Sequence, residues 1–294
     1  MSQPINNGKK LCGLIGNPVG HTLSPIIHHH LASLCGHDLE YRPMQVEADE
    51  LKETVLDAVV GHMAGCNVTV PYKSAVIEYL DSLDSLAEGI GAVNTIVPTA
   101  EGLKGYNTDM PGLLRAMTED GVSIKGEHVL ILGAGGVARA VAFLMLREGA
   151  AQVYILNRTV EKAEDIVREM QSATGHTNIS AMNIAEYANL PQGQKYLAIQ
   201  ATSVGLYPDT ERAVLEDATF YERIHTGYDL IYTPADTKFM RLVRAHGGQA
   251  YNGLKMLLYQ AIIAYELWHD VQITSEMAKQ TYQVLVDAVE RRKR

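Results

Sequence analysis

Six residues, Gly133-Ala134-Gly135-Gly136-Val137-Ala138, restrict this chain more than any other part of it. They follow the compact apolar run 128–132 and open a helix-like stretch, 137–147, that Gly149 closes. A GxGxxA turn between a strand and a helix implies a βαβ unit, and so a parallel sheet covered by helices. The first glycine permits the tight turn, and the second lets backbone approach a pyrophosphate. The small Ala138 lets helix pack on strand, while the helix N-terminal amides face the negative phosphates. A bare GxGxxA also arises where glycines merely end strands. Here the context on both sides carries the expectation of a bound dinucleotide.

The next strand, 152–156, indicates which dinucleotide. An NAD site places Asp or Glu near this strand's end to accept from the ribose 2′-hydroxyl. This chain has Asn157-Arg158-Thr159, with Lys162 a turn later. Arginine cannot accept a hydrogen bond, but it suits a 2′-phosphate through paired charge-assisted bonds. The plain alternative is a solvated arginine at a strand end. The glycine loop beside it favours NADP.

Elsewhere short apolar runs alternate with helical stretches. Strands are expected at 11–15, 41–46, 66–70, 93–97, 196–201 and 226–231, and helices at 24–34, 50–62, 254–268 and 275–291. Leu51, Val55, Leu56 and Val59 should share one face of the second helix. The fold class is therefore α/β, with an N-terminal, mostly parallel open sheet ahead of a Rossmann-type dinucleotide-binding domain. The boundary is expected in the helix around 109–118.

Composition excludes several other classes. At 294 residues the chain suits about two domains. Hydrophobic residues make up 47% and charged residues 20%, as in ordinary globular proteins. No apolar run approaches the ~20 residues of a membrane helix. The opening MSQPINNGKK has no apolar leader core, so secretion is not expected. The formal charge is −9 and only the tail Arg291-Arg292-Lys293-Arg294 is basic, which argues against nucleic acid. Cys12, Cys35 and Cys66 are few, odd in number and widely spaced, which fits a reducing cytoplasm and no cysteine-built zinc site. Consecutive helical residues point about 100° apart, so His28-His29-His30 cannot face one ion, and no metal is expected.

The first half also places polar residues just after apolar runs: Thr22, Ser24, Thr69, Lys73, Asn94 and Asp109. In open α/β sheets the strand carboxyl ends line the ligand crevice. Taken singly, each has a structural explanation: Ser24 as a helix cap, Lys73 as a solvated residue, Asn94 as a turn former. As a set, hydroxyls, an amide, an ammonium and a carboxylate suit a small polyhydroxylated acid.

Together these stretches resemble the shikimate dehydrogenase family. The resemblance runs from Gly16 to Trp268 through GNPVGHTLSP, GCNVTVPYK, GAVNT, GYNTDMPG, GAGGVARA, NRT, ATSVGL, YDLIY and GLKMLLYQ, in matching order and spacing. It implies a substrate-binding and catalytic domain (1–110), an NADP-binding domain (111–249) and C-terminal helices (250–294) returning to the substrate domain. The implied activity is the reversible NADPH-dependent reduction of 3-dehydroshikimate to shikimate in chorismate and aromatic amino acid biosynthesis. The resemblance assigns catalysis to Lys73 and Asp109, and shikimate contacts to Thr22, Ser24, Thr69, Asn94, Tyr232 and Gln260. Cofactor contacts fall to Gly133, Ala134, Gly135, Gly136, Val137, Asn157, Arg158, Thr159 and Lys162. Thr202, Leu230 and Gly253 fall near the nicotinamide.

Three positions depart from the family pattern. Thr22 stands where serine is usual, His29 where asparagine is usual, and Lys255 where a small residue is usual. Lys255 is read as lying towards the nicotinamide side or as simply facing solvent. Two alternatives follow: a quinate/shikimate dehydrogenase with mixed NAD/NADP use, and a non-catalytic shikimate-pathway sensor. An intact Lys73–Asp109 pair and glycine loop argue against the sensor. Whether the chain forms a homodimer is not readable from its sequence.

Overall fold

Short runs rich in branched and aromatic residues form most of the strands, and amphipathic runs between them form covering helices. The computed structural model describes residues 9–59 and 62–291. The expected leaderless N-terminus and the basic residues 292–294 lie outside the described residues. So do residues 60 and 61 of the helix expected over 50–62. The described residues fall into two compact units, one running up to Gly112 and resuming at Leu257, the other Leu113–Met256.

The first unit holds β1 (Lys10–Gly16), α1 (Ser24–Cys35), β2 (Leu39–Gln45), α2 (Leu51–Glu53), β3 (Gly65–Val68), β4 (Ser82–Leu83), α3 (Ser85–Ile90), β5 (Thr95–Thr99) and β6 (Gly102–Tyr106). Its sheet runs β2-β1-β3-β5-β6-β4. The pairs β1–β2, β1–β3 and β4–β6 are parallel, while β5 runs antiparallel to both β3 and β6. The open sheet was expected; the β5–β6 hairpin was not. Its two-residue turn ends on Gly102 at φ +121°, a conformation in which a side chain would be strained.

The helix expected over 50–62 is irregular. A 3-10 turn (Ala48–Glu50) leads into α2 and then a π-type stretch (Thr54–Val59). The wider turn shifts the buried face. Leu51 and Val55 stay buried but Leu56 is 41% exposed, contrary to the regular-helix expectation. The side chain of Val59 lies outside those described.

Two helices span the division between the units: α4 (Asp109–Glu119), and, after the second unit's elements, α9 (Leu254–His269). The second unit holds β7 (His128–Leu132), α5 (Gly136–Arg147), β8 (Gln152–Asn157), α6 (Val160–Thr174), β9 (Ile179–Asn183), β10 (Tyr196–Gln200), α7 (Ala218–Tyr221), β11 (Ile224–Asp229), α8 (Lys238–Ala245) and β12 (Gln249–Tyr251). Helix α10 (Ser275–Arg291) ends the described chain and belongs to the first unit. The second sheet runs β12-β11-β10-β7-β8-β9, and each of its pairings is parallel. Counted within this unit, that is the 3-2-1-4-5-6 order of a dinucleotide-binding fold, with its switch point between β7 and β10.

In the first unit a ring stack joins α1, β2 and α9. His28 is fully buried, stacks on Tyr41 at 4.4 Å and meets Trp268 at 5.1 Å. Its ring nitrogens make no full hydrogen bond. Burial pushes His28 down to about 3, with charge on His269 and His29 adding and Asn67 only partly offsetting. Burial also lowers His269 to about 4, helped by Lys10 and His37. Both histidines titrate near 6.5 when unfolded, so between that value and their folded values the unfolded chain binds more protons.

Their stabilisation is therefore complete above pH ~6.5 and is lost as pH falls towards 4 and then 3, by roughly 1.4 kcal/mol per pH unit for each histidine. Urea unfolding from pH 7 to 4.5 should show the first unit weakening. His28→Phe, which keeps the stack, should flatten the slope by about one proton. An unchanged slope would mean that His28 is not buried in its neutral form.

Candidate active site

The end of β3 and the start of α4 bring a lysine and a carboxylate together. After Val68 the chain turns, held by Thr69 N–H donating to the Ile15 carbonyl at 2.8 Å. The Lys73 carbonyl accepts from Val93 N–H at 2.7 Å. Asp109 is the first residue of α4, where a negative charge is favoured. The Asn107 side-chain oxygen caps that helix, accepting from Asp109 N–H at 3.1 Å and Met110 N–H at 3.3 Å. Lys73 Nζ then lies 2.6 Å from Asp109 Oδ2, with side chains 32% and 17% exposed. The pair is ordered yet open to a small molecule.

Asn94 is buried beside them. Its Oδ1 accepts from Thr108 N–H at 2.7 Å, and since that N–H can only donate, the amide orientation is fixed. Its Nδ2 donates to Thr108 Oγ1 at 3.0 Å, which leaves one amide hydrogen for a ligand oxygen. Beneath it lies a buried set that sequence reasoning missed. Tyr41 O–H donates to Asn67 Oδ1 at 2.7 Å, and Asn67 Nδ2 donates to the Asn94 carbonyl at 3.2 Å and to Thr95 Oγ1 at 3.1 Å. The available signal was one asparagine inside the apolar strand 66–70.

Thr22 Oγ1 donates to Ser24 Oγ at 3.1 Å and accepts from Ser24 N–H at 3.2 Å. Leu23, not Ser24, is the N-cap of α1, and no side chain caps it. The capping explanation for Ser24 therefore falls away. Gln260 sits on α9, where its Nε2 donates to the Leu257 carbonyl at 2.8 Å. A Cβ on Gly112 would come within 2.7 Å of Gln260 N, so glycine lets α4 approach α9 there. Tyr232 belongs to the second unit.

Two of the departures have structural explanations. His29 Nε2 accepts from Tyr41 N–H at 3.2 Å, a backbone role inside the fold. Lys255 does not simply face solvent: its Nζ lies 2.5 Å from Asp120 Oδ1 and 3.8 Å from Glu119 Oε2.

In the second unit a groove of about 460 Å³ is lined by Gly133, Ala134, Gly135, Asn157, Arg158, Thr159, Lys162, Ala201, Thr202 and Ser203. It lies at the β7/β10 switch point, where dinucleotides bind. Gly133 has φ +109°, and a Cβ there would lie 2.6 Å from Thr202 Cγ2. At Gly135 a Cβ would meet nothing within 4 Å. The fold itself thus needs the first glycine but not the second, which leaves open space where a pyrophosphate approaches. Gly136 begins α5, with Val137 39% exposed beside it. Asn157 Nδ2 donates to the Thr159 carbonyl at 2.9 Å and shapes the turn that carries Arg158. Among the described residues lining the groove, two are cations and none is a carboxylate, which fits a 2′-phosphate better than a free 2′-hydroxyl. Gly253 N–H donates to the Ile231 carbonyl at 3.0 Å, and a Cβ on Gly253 would lie 2.3 Å from the Leu230 carbonyl oxygen. Among the described residues no His, Cys, Asp and Glu group could hold a metal ion.

Residues 14–96 match the shikimate dehydrogenase substrate binding domain family, and residues 115–191 match the shikimate / quinate 5-dehydrogenase family. Shikimate dehydrogenase (NADP(+)) from Carboxydothermus hydrogenoformans is 38% identical over 267 residues, covering 91% of this chain and 94% of its own. The chain belongs to the shikimate dehydrogenase family. Among solved structures of the family, shikimate 5-dehydrogenase from Listeria monocytogenes, in complex with shikimate and NAD, superposes with a TM-score of 0.86. It is 31% identical, covering 95% of this chain and 98% of that one. The Thermus thermophilus enzyme in complex with NADP(H) and shikimate gives a TM-score of 0.81 at 31% identity, covering 94% and 99%. The two family matches span the residues from Thr22 to Asn94 and from Gly133 to Lys162. Asp109, Thr202, Leu230, Tyr232, Gly253 and Gln260 lie outside both ranges.

The two glycines make separable predictions for this shikimate dehydrogenase family member. Gly133→Ala should cost roughly 1–3 kcal/mol through strain and overpacking against Thr202. Gly135→Ala should cost at most about 1 kcal/mol as an altered N-cap while weakening dinucleotide binding. Thermal melts with and without dinucleotide check both. Equal stability losses would contradict the assignment of Gly135 to ligand approach.

Proposed function

We propose that this chain is an NADP-dependent shikimate dehydrogenase that reversibly reduces 3-dehydroshikimate to shikimate, acting in the cytoplasm in aromatic amino acid biosynthesis. The observation that carries this reading is the 2.6 Å contact between Lys73 and Asp109 at the strand and helix ends. The match to an NADP(+) relative over 91% of this chain supports the substrate and cofactor. Among the described residues no helix is long and apolar enough to cross a membrane.

Bound NADP(H) supplies the hydride acceptor or donor. This chain's own residues then bind, orient and move the proton. In the oxidation direction the Lys73–Asp109 pair takes the proton of the 3-hydroxyl. In reduction, Lys73 as an ammonium stabilises the alkoxide that develops and returns the proton. The 2.6 Å contact lets the two groups share the proton, so it is assigned to the pair. Thr22 and Ser24 offer hydroxyl donors for the ring carboxylate, a role the family pattern also gives Tyr232. Neutral donors orient that group without introducing a competing charge. Thr69, Asn94 and Gln260 take the ring hydroxyls, Asn94 through its remaining amide hydrogen.

On the cofactor side, the α5 N-terminus and Gly133–Val137 would hold the pyrophosphate. Asn157, Arg158, Thr159 and Lys162 would hold the adenosine 2′-phosphate, and Thr202, Leu230 and Gly253 would hold the nicotinamide end. A sensor on the same scaffold would have no use for both an ordered proton-transfer pair and an open phosphate loop.

Lys73→Ala tests the reading directly. General acid–base groups supply ~10²–10⁴-fold, so kcat should fall by about that factor while the KM for shikimate changes only a few-fold. A variant that keeps more than about a third of wild-type kcat, far outside that range, would make Lys73 a binding residue and remove the proposed chemistry.

A further inference from the structure

Three buried polar residues, at the ends of β10 and β11 and at the start of α8, are not explained by the roles assigned above. Gln200, Asp229 and Thr237 are each 0% exposed. Buried amides and carboxylates are costly unless every polar atom is satisfied, and these are. Gln200 Oε1 accepts from Thr202 N–H at 2.6 Å and from Thr202 Oγ1 at 2.7 Å. Gln200 Nε2 donates to the Val204 carbonyl at 3.1 Å and to Asp229 Oδ1 at 3.3 Å. A backbone N–H lies on one side and two acceptors on the other, so the amide has a single workable orientation. Asp229 also accepts from Ile231 N–H at 2.9 Å and from Thr237 Oγ1 at 2.6 Å, and Thr237 caps α8.

These bonds hold the backbone at Thr202, which lines the groove, and at Val204 and Ile231. The Thr202 hydroxyl is committed twice inside the protein, donating to Gln200 and accepting from Val204 N–H at 3.1 Å. It therefore offers a dinucleotide a methyl wall packed on Gly133 rather than a hydroxyl. Leu230 N–H donates to the Gln200 carbonyl at 3.1 Å, and the Leu230 carbonyl is the group that forces glycine at position 253. Positions 202, 230 and 253 thus all depend on the chain around Gln200. In this fold the adenosine half of a dinucleotide lies over the β7–β8 side of the switch point, which leaves the β10–β11 side to the nicotinamide half.

We infer that Gln200 is a positioning residue for the nicotinamide half of the cofactor, with Asp229 and Thr237 holding its amide in register. This rests on the NADP-dependent reading above. Burial pushes the Asp229 carboxyl up to about 6, against the opposing pull of Thr237, Ile231 and Gln200. At pH 7.5 it is a carboxylate, and what the Gln200 amide needs of it is the accepting Oδ1.

The test compares two halves of the same groove at pH 7.5. Misplacing reacting groups by about 1 Å costs about 10²-fold, so Gln200→Met should lower kcat/KM for NADP by about 10–100-fold. Binding of adenosine 2′,5′-bisphosphate, measured by calorimetry, touches only the Arg158 side, and its Kd should stay within about threefold, since no displaced group meets it. Asp229→Val should behave like Gln200→Met. Asp229→Asn keeps the oxygen that faces Gln200 Nε2 and should lose less than about threefold.

Should Gln200→Met not fold, Gln200→Glu keeps the size but turns the donor into an acceptor facing two acceptors, and the same selective loss is expected. Wild-type kinetics in the folded variant, or an equal loss of bisphosphate binding, would overturn the inference. A wild-type chain that binds the bisphosphate but does not turn over shikimate with NADP would instead sink the functional reading.

Discussion

Lys73 and Asp109, 36 positions apart, meet at 2.6 Å because the turn after the interior strand β3 and the start of α4 converge. Much of the local structure serves that meeting. The cap from Asn107 sets the first turn of α4, the Val93 bond holds the Lys73 backbone, and Thr108, next to Asp109, donates its N–H to Asn94 Oδ1. An ion pair this exposed contributes little to stability, typically about 0–1 kcal/mol. Its order is better explained by chemistry than by folding.

The second unit solves a different problem, bringing backbone close to a doubly charged ligand. It divides the task between glycines that the fold requires and one that it does not. Gly133 is enforced by its positive φ and by Thr202, while Gly135 faces open space. Buried polar residues then hold the opposite wall. The Gln200–Asp229–Thr237 set has its polar groups hydrogen-bonded, a condition that rigidifies the backbone around it.

The sequence was legible where a pattern has one physical cause. The glycine loop, the strands on either side of it and the helix 137–147 follow from turn chemistry and hydrophobic period, and the α/β class from their alternation. Arg158 could be placed at a strand end from sequence, and in the structure it lines the groove. Less was readable where the outcome depends on partners distant in sequence. Asn67 and Gln200 are single polar residues in apolar strands, and only the fold shows that each has its hydrogen-bonding groups satisfied by partners. The π-type stretch that turns Leu56 outward, the antiparallel β5–β6 hairpin and the Lys255–Asp120 pair all arise from tertiary packing, which local periodicity does not encode. Ser24 reads as a helix cap by position alone, yet the structure gives the cap position to Leu23.

The central claim is that this site takes shikimate and that its cofactor groove takes NADP. The most direct measurement is kcat/KM for shikimate and for quinate, each with NADP and with NAD, on the full chain at one pH. The account predicts that shikimate with NADP exceeds the other three combinations by at least about tenfold, the scale of discrimination available from one charge-assisted contact or one small group in a pocket. Quinate turned over as well as or better than shikimate, or a preference for NAD, would contradict it.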